Sequence, residues 1–174
     1  MNKRIIGALI ILAAALTRLL PHVPNVVPVT AIALAGGVYL ERKYALLLPI
    51  AAMLISDCLI GFHATVPFVY GSILLVGFIG MHLASHKSFG RIALGTVAGS
   101  VIFFVVTNFG VWLTGGGWFY PKTFAGLAEC FAMALPFFRN SLIGDCAYTA
   151  VLFGLFEFVE YFARVSGKPQ VGKQ

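Results

Sequence analysis

The sequence predicts an all-α membrane protein: a six-helix transmembrane bundle whose second crossing is broken by prolines. Three observations carry this reading. Of 174 residues, 60% are hydrophobic and only 10% are charged, against roughly 25% charged in an average soluble domain. The apolar residues fall in repeated runs, several near the roughly 20 residues that a helix needs to cross a bilayer. The basic residues sit between those runs, where membrane topology puts them. A soluble domain of this size fills its core long before it hides so much apolar surface. The composition therefore excludes a soluble enzyme, a nucleic-acid-binding domain and a disordered chain, despite a net charge of +6.

The first run is Ile5 to Leu20, after Lys3 and Arg4. Its basic start and its Ala13-Ala14-Ala15 stretch have the parts of a signal peptide. The chain that follows is itself membrane-embedded, so an uncleaved first helix is the simpler reading. Next comes Pro21-His-Val-Pro-Asn-Val-Val-Pro28, with three prolines in eight residues, which cannot form a helix interior. Val29 to Leu40 is apolar, but twelve helical residues cover only about 18 Å of a roughly 30 Å hydrocarbon core. The second crossing is therefore expected to be extended at one end and helical at the other.

After Glu41-Arg42-Lys43 come Tyr44 to Gly61, the turn Phe62-His63-Ala64, and Thr65 to Ala84. Polar Ser85-His86-Lys87-Ser88 precedes Ile92 to Leu113. A loop from Thr114 to Gly126 holds the flexible turn Gly115-Gly116-Gly117 and leads to a short apolar piece, Leu127 to Phe138, ending at Pro136. The last run is Ser141 to Phe162. Residues 1–162 are expected to form one transmembrane domain, with 163–174 a short basic cytoplasmic tail.

With six crossings and the N-terminus inside, nine basic residues lie inside (Lys3, Arg4, Arg42, Lys43, Lys87, Arg91, Arg164, Lys168, Lys173) and three outside (Arg18, Lys122, Arg139). If Val29–Leu40 did not cross, the count would be four against eight. The positive-inside rule favours six crossings with both termini cytoplasmic.

This topology gathers the polar residues in the outer half. Arg18, Asp57 and Asn108 fall near the outer ends of their helices, and His22, Asn25 and His63 in outer turns. Arg139, Asn140 and Asp145 open the last run, and Glu129 heads the short piece before it. Intramembrane ionisable groups are costly and by default face a cavity. The plainer alternative is that the aspartates pair with Arg18 or Arg139 and simply hold helices together. Trp112, Trp118, Phe119, Tyr120 and Phe124 read either as an interfacial belt or as a lid over an outward-facing pocket. Cys58, Cys130 and Cys146 read as small hydrophobes, or alternatively as a soft ligand for a metal such as the cobalt of a corrinoid. No cofactor and no bound metal is expected. The pairs Gly95/Gly99, Ala31/Ala35 and Ala33/Gly37 allow close helix approach, within the chain or to another subunit.

The stretch Arg18-Leu-Leu-Pro-His-Val-Pro-Asn-Val-Val-Pro28, then Thr30-Ala-Ile-Ala-Leu-Ala-Gly-Gly37, resembles the start of a family of small bacterial membrane proteins of uncharacterised function. Met53-Leu-Ile-Ser-Asp57, Thr107-Asn-Phe-Gly-Val-Trp112, Tyr120-Pro-Lys-Thr-Phe-Ala-Gly126, Pro136-Phe-Phe-Arg-Asn140 and Gly144-Asp145 extend the resemblance over about residues 17 to 158. That family is grouped with the substrate-binding S-components of energy-coupling factor (ECF) vitamin transporters. The resemblance implies six helices, cytoplasmic termini, and a vitamin-sized ligand held near the outer face by the first loop and the outer helix ends. It also implies a transmembrane coupling subunit and ATPases as partners. The first helix lacks the Ala-x-x-x-Ala pair by which many S-components dock, and Met1 is followed by Asn2 rather than the histidine of nickel and cobalt S-components.

The sequence therefore leads to an expected inner-membrane transport protein, not an enzyme. It would capture a small organic nutrient with Arg18, His22, Asn25, Asp57, His63, Asn108, Trp112, Trp118, Tyr120, Arg139, Asn140 and Asp145. The alternatives are a scaffold subunit of a membrane complex, a solitary cobalamin transporter, and a membrane enzyme using Asp57, His63 and Asp145.

Overall fold

A computed structural model describes residues 3–21 and 23–166, and among these the regular structure is helical throughout. The helices are α1 (Lys3–Leu16), α2 (Val29–Tyr39), α3 (Arg42–Ala45), α4 (Leu47–Ile60), α5 (Val66–Leu83), α6 (Phe89–Thr114) and α7 (Phe124–Ser166). Two 3-10 turns among the described residues, Thr17–Leu19 and Ala84–His86, follow α1 and α5.

Among the described residues, four segments are long and apolar enough to cross a membrane: Arg42–Ile60, Val66–His86, Phe89–Thr114 and Phe124–Val165. The apolar helices Gly7–Leu19 and Val29–Tyr39 fall short of that length. The sequence-based count of six full spans is thus reduced to four long helices and two short ones. The described residues between Leu20 and Pro28 are non-helical, as their prolines require.

The surface pattern is that of a protein solvated by lipid. On α5, Ser72, Val76, Gly77 and Gly80 face inward, while Leu74, Leu75 and Phe78 are exposed. On α6, Gly95, Thr96, Gly99 and Ser100 are buried, while Leu94, Val97, Val101 and Val105 are exposed. Small and hydroxyl residues inside with large apolar residues outside is the arrangement of membrane helices, where packing and hydrogen bonds hold helices together.

The short helix α2 is the axis of the bundle. Every residue from Val29 to Val38 is buried, and α1, α4, α5, α6 and α7 all pack on it. Its alanines and glycines let α5 approach backbone to backbone. A Cβ on Gly37 would run into the Gly77 carbonyl oxygen, and one on Gly80 into that of Leu34. On α6, a Cβ at Gly99 would lie 2.8 Å from the Thr30 methyl, and one at Gly95 2.7 Å from Leu83. The small-residue pairs therefore serve packing within the chain.

One expectation is corrected at the other end of the chain. Leu127–Phe138 and Ser141–Phe162 were expected as two pieces divided at Pro136, but α7 runs unbroken through it. Proline removes one backbone bond and strains one turn. Neighbouring helices make that tolerable in a membrane bundle. The 43 residues of α7 extend about 64 Å, so the helix outreaches the roughly 30 Å hydrocarbon core. The expected domain boundary after Phe162 falls inside this helix, and most of the basic tail lies outside the described residues.

At the end opposite Arg18, Tyr39 closes α2 against α7. Its ring stacks on Phe156 with centroids 4.5 Å apart, and its hydroxyl donates to Glu157 Oε1 at 2.7 Å. Lys87 reaches the same Glu157 oxygen at 3.0 Å and lies over the Tyr39 ring.

Candidate functional site

The polar residues expected on the outer side form two groups rather than one convergent cavity. The first joins α1, α4 and α5. Arg18, held in the 3-10 turn, donates from Nη1 to Asp57 Oδ1 at 2.7 Å and to Ser56 Oγ at 2.5 Å. Tyr70 donates its hydroxyl to Asp57 Oδ2 at 2.8 Å. Asp57 is 2% exposed, so this arrangement gives each oxygen of a buried carboxylate its own donor. A buried charge needs that pairing, and the cluster is complete without a ligand.

The second group lies between α2, α6 and α7. Asp145, 3% exposed, accepts from Ser100 Oγ at 2.6 Å, with Thr30 of α2 nearby. One turn deeper, Thr96 and Thr149 hydroxyls meet at 3.3 Å. The plainer sequence reading pairs Asp145 with Arg18 or Arg139. Its partner is the Ser100 hydroxyl instead, because helix spacing puts Thr96 and Ser100 on the α6 face that meets Asp145 and Thr149.

A cleft of about 80 Å³ opens above this group. Asn25, Thr107, Asn108 and Ser141 supply polar walls, Phe103, Phe104, Phe137 and Phe138 supply aromatic ones, and Ser100 lies at its floor. Asn25 reaches it from the proline loop with a φ of 64°, a conformation asparagine tolerates better than most residues. The loop is held down on α7. Asn140 Nδ2 donates to the Pro24 carbonyl at 3.3 Å, and Gly144 leaves room for Val26, whose Cγ1 would lie 3.1 Å from an added Cβ.

Of the expected site residues, Asn25 and Asn108 line the cleft, Asn140 positions its loop wall, and Asp145 lies under its floor. Asn108 also donates to its own helix, at the Phe104 carbonyl, at 2.8 Å. Arg18 and Asp57 belong to the closed first cluster. Arg139 is exposed on α7, and His63 is exposed with Nδ1 2.7 Å from Thr65 Oγ1. His22 lies outside the described residues.

The aromatic loop is not a lid over this cleft. Trp112 Nε1 donates to the Pro121 carbonyl at 3.0 Å, and Lys122 donates to the Trp112 and Leu113 carbonyls. These contacts terminate α6, whose last carbonyls need donors. Gly116 and Gly117, with φ of 61° and 83°, allow the tight reversal. Trp118 is 92% exposed; with Phe119 it borders a separate broad depression of about 810 Å³ beside Thr65 and Val111. Tyr120 is half-buried in the same loop. Cys58 and Cys146 are exposed, while Cys130 is buried with its thiol 3.5 Å from the Asn108 carbonyl oxygen. No three His, Cys, Asp or Glu side chains among the described residues are grouped to hold a metal.

With this geometry in hand, comparison with known families is decisive at one level. The chain belongs to the DUF6580 family. The family, described as one of unknown function, matches over residues 1–168. No curated protein and no solved structure is significantly similar to the chain. The DUF6580 match takes in both polar clusters and the cleft.

Sequence reasoning missed Thr30, Ser100, Thr107 and Ser141 as site residues. A signal for them was present. Thr96, Ser100 and Thr107 share one face of an otherwise apolar helix, and Ser141, Asp145 and Thr149 repeat every four residues on the next.

Proposed function

We propose that this DUF6580 chain is a membrane transport protein that resembles an ECF S-component and captures a small organic nutrient, a vitamin or precursor, from the outer side. The observation that carries the reading is the cleft between the proline loop, α6 and α7. It combines aromatic walls with a few convergent amide and hydroxyl groups, the usual make-up of a small-molecule site. Its irregular wall is also where a membrane protein tolerates non-helical backbone, namely at a protein-lined cavity.

In this reading all six apolar helices cross the bacterial inner membrane. α1 and the proline loop with α2 serve as two short crossings, and both termini are cytoplasmic. The nine-to-three distribution of basic residues supports that orientation. The cleft is smaller than the roughly 300 Å³ that drug-sized ligands need, so loading a vitamin requires the loop to lift from α7. In this reading a coupling subunit with ATPases would supply energy, or transport would be passive, since the sequence has no nucleotide-binding motif.

The test is native mass spectrometry of gently purified protein, followed by titration with the molecule found. A vitamin-sized organic ligand that binds wild type and is lost on Asn108→Ala supports the proposal. Stable protein partners with no small molecule retained would favour a scaffold instead.

A further inference from the structure

We propose that the cleft takes the N–H-bearing edge of an uncharged aromatic ring, a carboxamide or ring amine, and rejects carboxylates. This deepens the transport reading and rests on it: it names the chemical class of the nutrient's buried end.

The polar wall of the cleft has more capacity to accept hydrogen bonds than to give them. Ser100, Thr107 and Ser141 each have one hydroxyl proton. Thr107 Oγ1 donates it to the Phe103 carbonyl at 2.7 Å, and Ser141 Oγ to the Phe137 carbonyl at 3.2 Å. Ser100 Oγ is engaged at the floor, 3.0 Å from the Thr96 carbonyl and 2.6 Å from Asp145 Oδ2. Asn108 gives one of its two amide hydrogens to the Phe104 carbonyl at 2.8 Å and keeps its side-chain carbonyl oxygen as an acceptor. A ligand N–H can bond the Thr107, Asn108 and Ser141 oxygens without disturbing any of these contacts. A ligand acceptor is served less well. Apart from the second Asn108 hydrogen and the exposed Asn25, it must turn a hydroxyl away from a carbonyl that the hydroxyl already serves.

Charge and shape narrow the class further. None of the described residues that line the cleft has an ionisable side chain, and Asp145 stands behind Ser100. A charge taken out of water needs an opposite charge beside it, so the buried end of the ligand is neutral. Phe104 and Phe138, with centroids 4.7 Å apart and planes tilted by 42°, offer ring faces that stack on a flat ligand and whose negative π-clouds disfavour an anion. The closed cleft holds about 80 Å³, less than the roughly 150 Å³ of a cavity that binds benzene. One edge of a ring therefore enters it, and the rest follows when the loop lifts from α7.

The experiment uses the full-length protein in detergent and four single-ring probes: benzamide, methyl benzoate, benzoate and benzamidinium. They offer, in that order, N–H donors without charge, no donor, a negative charge, and donors with a positive charge. Binding is followed by saturation-transfer NMR and calorimetric titration. The expected result is saturable benzamide binding at least about tenfold tighter than that of the other three, and at least about 5-fold weaker in folded Thr107→Val and Ser141→Ala. If one variant does not fold, the other carries the comparison. Benzoate, methyl benzoate or benzamidinium binding as tightly as benzamide overturns the inference. Benzamide binding unchanged in the folded variants, or no saturable benzamide binding, overturns it as well. If benzoate binds best while a nutrient is retained by wild type and lost on Asn108→Ala, donor selection fails and the transport reading stands. Donor-selective benzamide binding by a protein that moves no small molecule across a vesicle membrane does the reverse.

Discussion

Arg18 and Asp57, thirty-nine residues apart, meet at 2.7 Å and join the end of α1 to α4. Ser56 and Tyr70 complete the contact from α4 and α5. Because Asp57 is buried, Arg18→Ala should destabilise the protein by about 3–5 kcal/mol, the usual cost of stranding one partner of a buried pair. Tyr70→Phe should cost only about 1 kcal/mol. A double-mutant cycle with Asp57→Asn, read by thermal unfolding in detergent, checks this. Additive losses would mean that the pair is not coupled.

The contact between α2 and α5 makes a second prediction. Gly37→Val and Gly80→Val should each cost at least about 1–3 kcal/mol, because an added side chain meets backbone that cannot move aside. Gly71→Ala, on the same helix α5 with open space at its Cβ, should be nearly neutral. Expression level and melting temperature of the three variants give the comparison.

Orientation can be read by cysteine accessibility in intact cells, in a background lacking the three native thiols. Cysteines placed at 42 and 87 should be labelled only after the inner membrane is permeabilised, and one at 122 without it. Labelling of 42 from outside would remove the crossing assigned to α2.

Under the transport reading, ligand affinity should separate the cleft from the opposite end of the bundle. Asn108→Ala and Ser141→Ala should weaken binding by about 5- to 150-fold, the equivalent of roughly 1–3 kcal/mol for a lost buried partner. Glu157→Gln should leave affinity nearly unchanged, since Glu157 bonds Tyr39 and Lys87 away from the cleft. Titration of each folded variant by calorimetry is the measurement.

The helical class and the non-helical stretch over residues 23–28 were legible in the sequence because composition and proline spacing act locally. The continuity of α7 was not. A proline signals a break, and only the packing around Pro136 cancels it. The pairing of Arg18 with Asp57 was legible as one of several options, since few charges occur at that depth. The hydroxyl partner of Asp145 was hidden because serine and threonine inside apolar helices commonly bond their own backbone, as Ser72 and Thr107 do here. Which hydroxyls turn to a carboxyl depends on helix rotation, and a single sequence does not encode rotation visibly.

Helix α2 is enclosed on all sides by protein, and that changes what mutation can do to it. On the outward faces of α5 and α6 a residue must be oily but its size hardly matters, so leucine, valine and phenylalanine should interchange freely. On α2 the demand reverses: size is limiting and oiliness is secondary. A saturation library should therefore accept serine at Ala33 or Ala35 more readily than leucine, although leucine is the stronger membrane former. The segment with the least contact with lipid would then drift under the rules of a water-soluble core, inside a protein whose remaining surface drifts under those of a membrane.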